Sequence, residues 1–231
     1  MGLSILEIDN QRFSTLFASY FSCSKCGYVT DDLEILNAKS PCKHCGSTNH
    51  RAYFHFRMGV LIMVDLMQEY YHLQPSESPL LKALGKGHVN HLLAIIIYYC
   101  SLGELLFEDF LVKYMIKASI PSSIQGELLK DISMDKRLGL FHALTGKRFK
   151  TVVKQLSQRS KVDYNRVVSF YLQVRNERNT FLHTGNKFLI KKDMIDNCLI
   201  DTPSLIQLFV DIHNLFIAKR LLEIENEKPK S

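Results

Sequence analysis

The chain has 231 residues, a net charge of +6 and a pI near 8.9, with 46% hydrophobic and 23% charged residues. That length gives room for one medium domain with its own core plus a small appendage, and excludes three ordinary domains. The composition excludes a largely disordered chain, and the positive charge suits a polyanion partner without identifying one.

The first residues carry Glu7 and Asp9 and lack a basic leader followed by an apolar run, so no export signal is read there. The longest apolar stretch, Leu92 to Cys100, is about half of the roughly 20 residues a membrane span requires. A soluble, cytoplasmic protein with no membrane partner is expected.

Taken in chain order, the first strong signal is a cysteine framework. Cys23-Ser-Lys-Cys26-Gly27 and Cys42-Lys-His-Cys45-Gly46 are two copies of one pattern, fifteen residues apart. Two residues between thiolates let a tight turn aim both sulfurs at one ion. The following glycine permits the positive φ that brings backbone N–H groups toward sulfur. Cys23, Cys26, Cys42 and Cys45 are therefore expected to hold one structural Zn2+ per chain, in a tetrahedral site with no open position. His44 and His50 are alternative ligands, but the paired spacing favours four sulfurs. The competing reading, two disulfides, is disfavoured by the missing export signal and by the leftover Cys100 and Cys198, which sit in apolar stretches as buried thiols. Aromatic-rich segments, Phe13 to Phe21 and Tyr53 to Phe56, flank the knuckles as strands of a ribbon would. Residues 1–56 are read as a zinc ribbon.

From residue 57 to 231 the periodicity is helical. A first helix is predicted from Arg57 to His72, and a short second one opens at Ser78-Pro79 and ends by Gly85 and Gly87. His88 to Ala118 reads as the long spine of a bundle. Pro121 and Ser122, with Gln125 three residues later, have capping-box spacing for another start. A helix around Met134 to Leu144 follows, then a basic stretch, Lys147 to Gln158. From Lys136 to Arg166 nine Lys or Arg residues stand against one acid, Asp163. Asp163 caps a strong helix from about Tyr164 to His183. The last helix is expected to open at Thr202-Pro203 and to bury Leu205, Leu208, Phe209, Ile212, Leu215 and Phe216. The fold class is thus mainly α, a multi-helix bundle preceded by a small β zinc ribbon.

The helix capped by Asp163 carries the chemistry. Its apolar stripe passes through Val167, Tyr171 and Val174, and helical spacing places Arg178 next. A guanidinium thus stands where the core pattern expects an aliphatic side chain, and such a residue faces a cleft, an interface or an acidic partner. Asn179 and His183 are four apart and share a face. Arg178 and His183 lie roughly 140° apart around an ideal helix, so the long arginine or a second copy of the helix must close the gap.

The run Arg178-Asn179-Thr-Phe-Leu-His183, late in an all-α domain, resembles the Arg-x4-6-His signature of the HEPN superfamily. The resemblance implies a homodimer in which two motifs form one composite site. It also implies metal-independent cleavage of single-stranded or loop RNA, giving 2′,3′-cyclic phosphate and 5′-hydroxyl ends. His183 would act as general base or acid, Arg178 would stabilise charge developing on phosphorus, and Asn179 would position the imidazole or the phosphate. An acid on an earlier helix is expected to contact the motif arginine, with Glu104 the first choice and Asp109 the second. Arg175, with Lys147 and Arg148 of the basic stretch, is expected to guide the RNA backbone.

The biological setting implied by the resemblance is a toxin or antiviral, phage-defence effector, with an antitoxin or activator protein as a further partner. The alternative is a non-catalytic HEPN module that binds nucleic acid or a nucleotide, with the ribbon as an interaction domain. A third reading is a structural subunit that assembles through the ribbon.

Overall fold

The computed structural model describes residues 20–31, 40–48, 52–73, 76–77, 88–89, 93–130, 132–184 and 191–218. It is mainly helical, with a small antiparallel β element at the N-terminal side. Strands β1 (Phe21–Cys23), β2 (Val29–Thr30) and β3 (Ala52–Phe54) form a three-stranded sheet in the order β2-β1-β3. Phe21 pairs with Thr30 on one side and with Phe54 on the other. Residues 13–19 of the aromatic segment expected as a strand lie outside the described residues.

Helix α1 (Met58–His72) starts within one residue of the predicted position. A two-residue ladder then pairs β4 (Ser76–Glu77) with β5 (His88–Val89). The short helix expected after Ser78-Pro79 lies outside the described residues. The spine, α2 (Leu93–Lys117), begins later than the predicted His88, because His88 and Val89 are committed to the β4 ladder. It packs against α1 and against the remaining helices α3 (Ser122–Leu129), α4 (Met134–Thr145), α6 (Tyr164–Thr184) and α7 (Lys192–Phe216). This explains why a second set of buried residues, Ile96, Cys100, Phe107, Leu111 and Met115, widens the stripe formed by Ile95, Tyr99, Leu102, Leu106 and Phe110.

Local capping explains both ends of α4 and the start of α6. Ser133 Oγ accepts from Lys136 N and Gly146 closes α4 in the left-handed conformation. Asp163 Oδ1 accepts from the amides of Asn165 and Arg166 at 3.1 and 3.2 Å, starting α6 as predicted. The capping box expected at Ser122 and Gln125 does not form. Pro121 takes the cap position without a side-chain bond, and Gln125 Nε2 turns back to donate to the Ile120 carbonyl. Helix α5 (Phe149–Ser157) carries the basic stretch.

The largest departure is the last helix. It does not open at Thr202-Pro203; α7 runs unbroken from Lys192 to Phe216 with Pro203 inside it. A mid-helix proline costs about 3 kcal/mol. The turns before it bury Ile195, Cys198 and Leu199, and each fully buried aliphatic side chain contributes roughly 1.5–3 kcal/mol, so tertiary burial prevails over the local break.

Asp201, 1% exposed, adds an ion pair to Arg166, whose Nη1 and Nη2 donate to its two carboxylate oxygens. The Arg166 side chain is 57% exposed while that of Asp201 is buried, so removing the guanidinium leaves a buried carboxylate short of its partner. Arg166→Met is therefore expected to destabilise the fold by about 1–2 kcal/mol, and the double variant Arg166→Met/Asp201→Asn by less, as read from urea unfolding midpoints.

Candidate functional site

Two sites are built by these elements. In the first, the turn after β1 and its counterpart at residues 42–47 repeat one hydrogen-bond pattern. Gly27 N donates to Cys23 O and Gly46 N to Cys42 O, each at 2.7 Å, while Cys23 N and Cys42 N donate to Tyr28 O and Ser47 O, each at 3.0 Å. Gly27 and Gly46 have φ of 73° and 64°, a conformation that side chains resist. The four sulfurs lie within 4.8 Å of one another and three of the cysteines are buried. Cys26 Sγ and Cys42 Sγ are 3.8 Å apart, far beyond the roughly 2.05 Å of a disulfide. An ion bound by sulfurs at about 2.3 Å in a tetrahedron would space them by about 3.8 Å, so the donor set and its geometry fit a metal.

The ribbon is fastened to the bundle by contacts that the sequence did not advertise. Asn214 Oδ1 accepts from Val29 N at 2.8 Å and its Nδ2 donates to Val29 O at 3.0 Å, so the amide continues the sheet edge. His213 Nε2 donates to Gly27 O at 2.9 Å, since a carbonyl can only accept. Lys113 Nζ donates to the His55 carbonyl at 2.7 Å and pairs with Asp109, which also binds Arg57 at 2.9 Å. Asp109 is thereby engaged at this junction with α1.

Burial pushes the His213 imidazole down to about 4, with Lys113 and Lys117 adding repulsion; His55, packed edge-on at 4.5 Å, is lowered in the same way. The folded ring is neutral where the unfolded one takes up a proton. Stability is therefore full above about pH 6.5 and lost as pH falls toward 4. Between pH 7 and 5 His213 should account for about 2 kcal/mol. Urea titrations at the two pH values check this: His213→Gln should lose less stability across the interval than the parent by that amount.

The second site lies where α6 crosses α2. Val167, Tyr171 and Val174 are buried as the stripe requires, and Arg178 follows with its side chain 13% exposed. Arg178 Nη2 donates to Glu104 Oε1 at 3.1 Å, and its Nε donates to Asn179 Oδ1 at 3.2 Å. Arg175 Nε approaches the same Glu104 oxygen at 3.7 Å. The approach of the helices depends on Gly103. A Cβ there would lie 2.2 Å from the ring of Tyr171, whose hydroxyl donates to the Cys100 carbonyl at 3.2 Å. Burial drives the Tyr171 hydroxyl upward, keeping it protonated as a donor.

Arg175, Arg178, Asn179 and Glu104 are thus brought together. His183 lies on the exposed last turn of α6, and among the described residues no hydrogen bond joins it to that group. Lys147 and Arg148 are elsewhere, in the turn between α4 and α5. Lys147 Nζ lies 6.0 Å from the centre of the half-buried Phe216 ring, and Lys147 and Arg148 are both exposed. Cys100 and Cys198 are fully buried thiols, and burial raises Cys100 to about 12.

Among the described residues no helix is long and apolar enough to cross a membrane. Comparison of the chain with protein-family models, with curated proteins and with solved structures gives no match.

Proposed function

We propose that the chain is a HEPN-type endoribonuclease that works as a homodimer and carries a structural zinc ion in its ribbon. One observation supports this reading above the others: the motif arginine at the end of α6 is held by an acid from the spine helix and by its own neighbour, Asn179. A guanidinium fixed on two sides presents donors without reorganising, as stabilisation of charge on a phosphate oxygen requires.

In the proposed reaction His183 takes the proton from a ribose 2′-hydroxyl, and that oxygen attacks the adjacent phosphorus. The P–O5′ bond breaks, a second imidazole returns a proton to the leaving oxygen, and a 2′,3′-cyclic phosphate forms. One chain supplies one His183, so the second comes from a partner copy. Leu182, 57% exposed one turn beyond Arg178, gives this end of α6 an apolar element for such a contact. Arg175 would guide the RNA strand at the site, and Lys147 and Arg148 would contact it at the distant α4–α5 turn.

The test is incubation of the purified chain with labelled RNA in EDTA, beside Arg178→Ala and His183→Ala. Cleavage that requires added metal, or that persists in both variants, overturns the proposal. Saturable RNA binding with no cleavage would establish the binding module instead.

A further inference from the structure

Helices α2, α4, α5, α6 and α7 enclose a cavity of about 420 Å³ beside the second site. Its walls include Phe107, Phe149, Leu205, Leu208 and Phe209, and it borders the Gly103–Tyr171 contact. Four lining residues are exposed, Lys150, Asn165, Ser169 and Leu172, and they mark the mouth between α5 and α6. Among the described residues Lys150 is the only charged one in the lining, and Asn165 and Ser169 add neutral hydrogen-bond donors.

From this arrangement we infer that the cavity binds a free single-chain amphiphile with an anionic head, a long-chain carboxylate, with its tail among the phenylalanines and its head at Lys150. The volume falls in the range of pockets that enclose small molecules, roughly 300–1,000 Å³. The interior has no polar partner for a nucleobase, and a peptide entering it would leave backbone N–H and C=O groups unpaired. Asp163, the acid at the start of α6, is taken up by the amides of Asn165 and Arg166 and by the Ser157 hydroxyl, and the α5 side of the mouth is cationic. Helix α5 holds Lys150 and Lys154 with no acid, and Lys147 and Arg148 immediately precede it. An alkyl tail meets the apolar interior and a carboxylate meets the cationic rim; a neutral hydrocarbon would satisfy only the first. The inference does not depend on the ribonuclease reading.

The experiment uses the full chain, stripped on a hydrophobic resin and titrated with cis-parinaric acid, a fluorescent long-chain carboxylate, below its aggregation concentration. Saturable binding at one site per chain is expected, displaced by dodecanoate and not by dodecanol. Lys150→Glu, a change at an exposed position, should weaken binding at least about tenfold, the size of a lost charge-assisted hydrogen bond, while Lys150→Arg retains it. Val168→Phe, which places a ring in the cavity, should also weaken binding, with the thermal midpoint and circular dichroism unchanged or improved. The inference is overturned by absence of saturable binding, by equal affinity for dodecanol, by full affinity in both Lys150→Glu and Val168→Phe, or by association only with sedimented anionic phospholipid vesicles.

Discussion

In the proposed reaction, replacing Arg178 by alanine is expected to lower the rate of RNA cleavage by about 10²–10³-fold, the effect of losing one preorganised donor to a charged transition state. Arg178→Lys should recover only part of that loss, because an ammonium supplies a point charge and not the planar fork that Glu104 and Asn179 hold in place. His183→Ala should cost about 10²–10⁴-fold as a missing proton-transfer group. The double variant should be little worse than the poorer single one, since both residues serve the same step. Glu104→Gln separates chemistry from positioning. It keeps the shape, removes the charge that orients Arg178, and should cost up to about 10²-fold through misplacement. Single-turnover rates on labelled RNA measure all of these, and an undiminished rate in Arg178→Ala would remove the role assigned to the guanidinium.

What could be read from the sequence followed from range. The two cysteine knuckles were legible because each is a local turn whose ligand spacing and glycine carry the geometry within five residues. The α6 start at Asp163 was legible for the same reason. Arg178 stood out because it interrupts a period that the residues before it had established, and the structure places a carboxylate opposite it. The start of α7 was hidden by a strong local signal, Thr202-Pro203, that tertiary burial of Ile195, Cys198 and Leu199 overrides. The docking of the ribbon was hidden altogether. Asn214 and His213 reach Val29 and Gly27 across almost the whole chain, and no spacing along α7 marks two polar residues as sheet-edge partners. The cavity is likewise a product of packing five helices, whose individual apolar faces look ordinary in sequence.

Removing the proposed zinc ion from the cysteine cluster should have the largest structural effect, and it should be confined to one part of the molecule. The strands of the ribbon are two or three residues long, and a ladder of that size is not stable alone in water. Its second cluster of buried residues consists of Cys23, Cys26 and Cys42 with Tyr28 and Cys45 against them, so the sulfurs themselves are the local core. Structural zinc sites contribute apparent binding free energies of about 10–16 kcal/mol to folding. Cys42→Ser, or a strong chelator, is therefore expected to release one zinc per chain by elemental analysis and to abolish amide-exchange protection across residues 20–31 and 40–48. The bundle should persist with its helical circular dichroism, because nearly all of its continuous core lies in the helices, with only Val29 and Phe56 joining from outside them, and the knuckle cysteines are not part of it. The loss should still reach α7: once the Gly27 carbonyl and the ribbon backbone leave, His213 is rehydrated and its titration returns from about 4 toward the ordinary value near 6.5. Histidine NMR titration of the two forms measures that shift directly. A protein that purifies without metal, or a Cys42→Ser variant whose ribbon amides stay protected, would show that packing on α7 alone holds the ribbon.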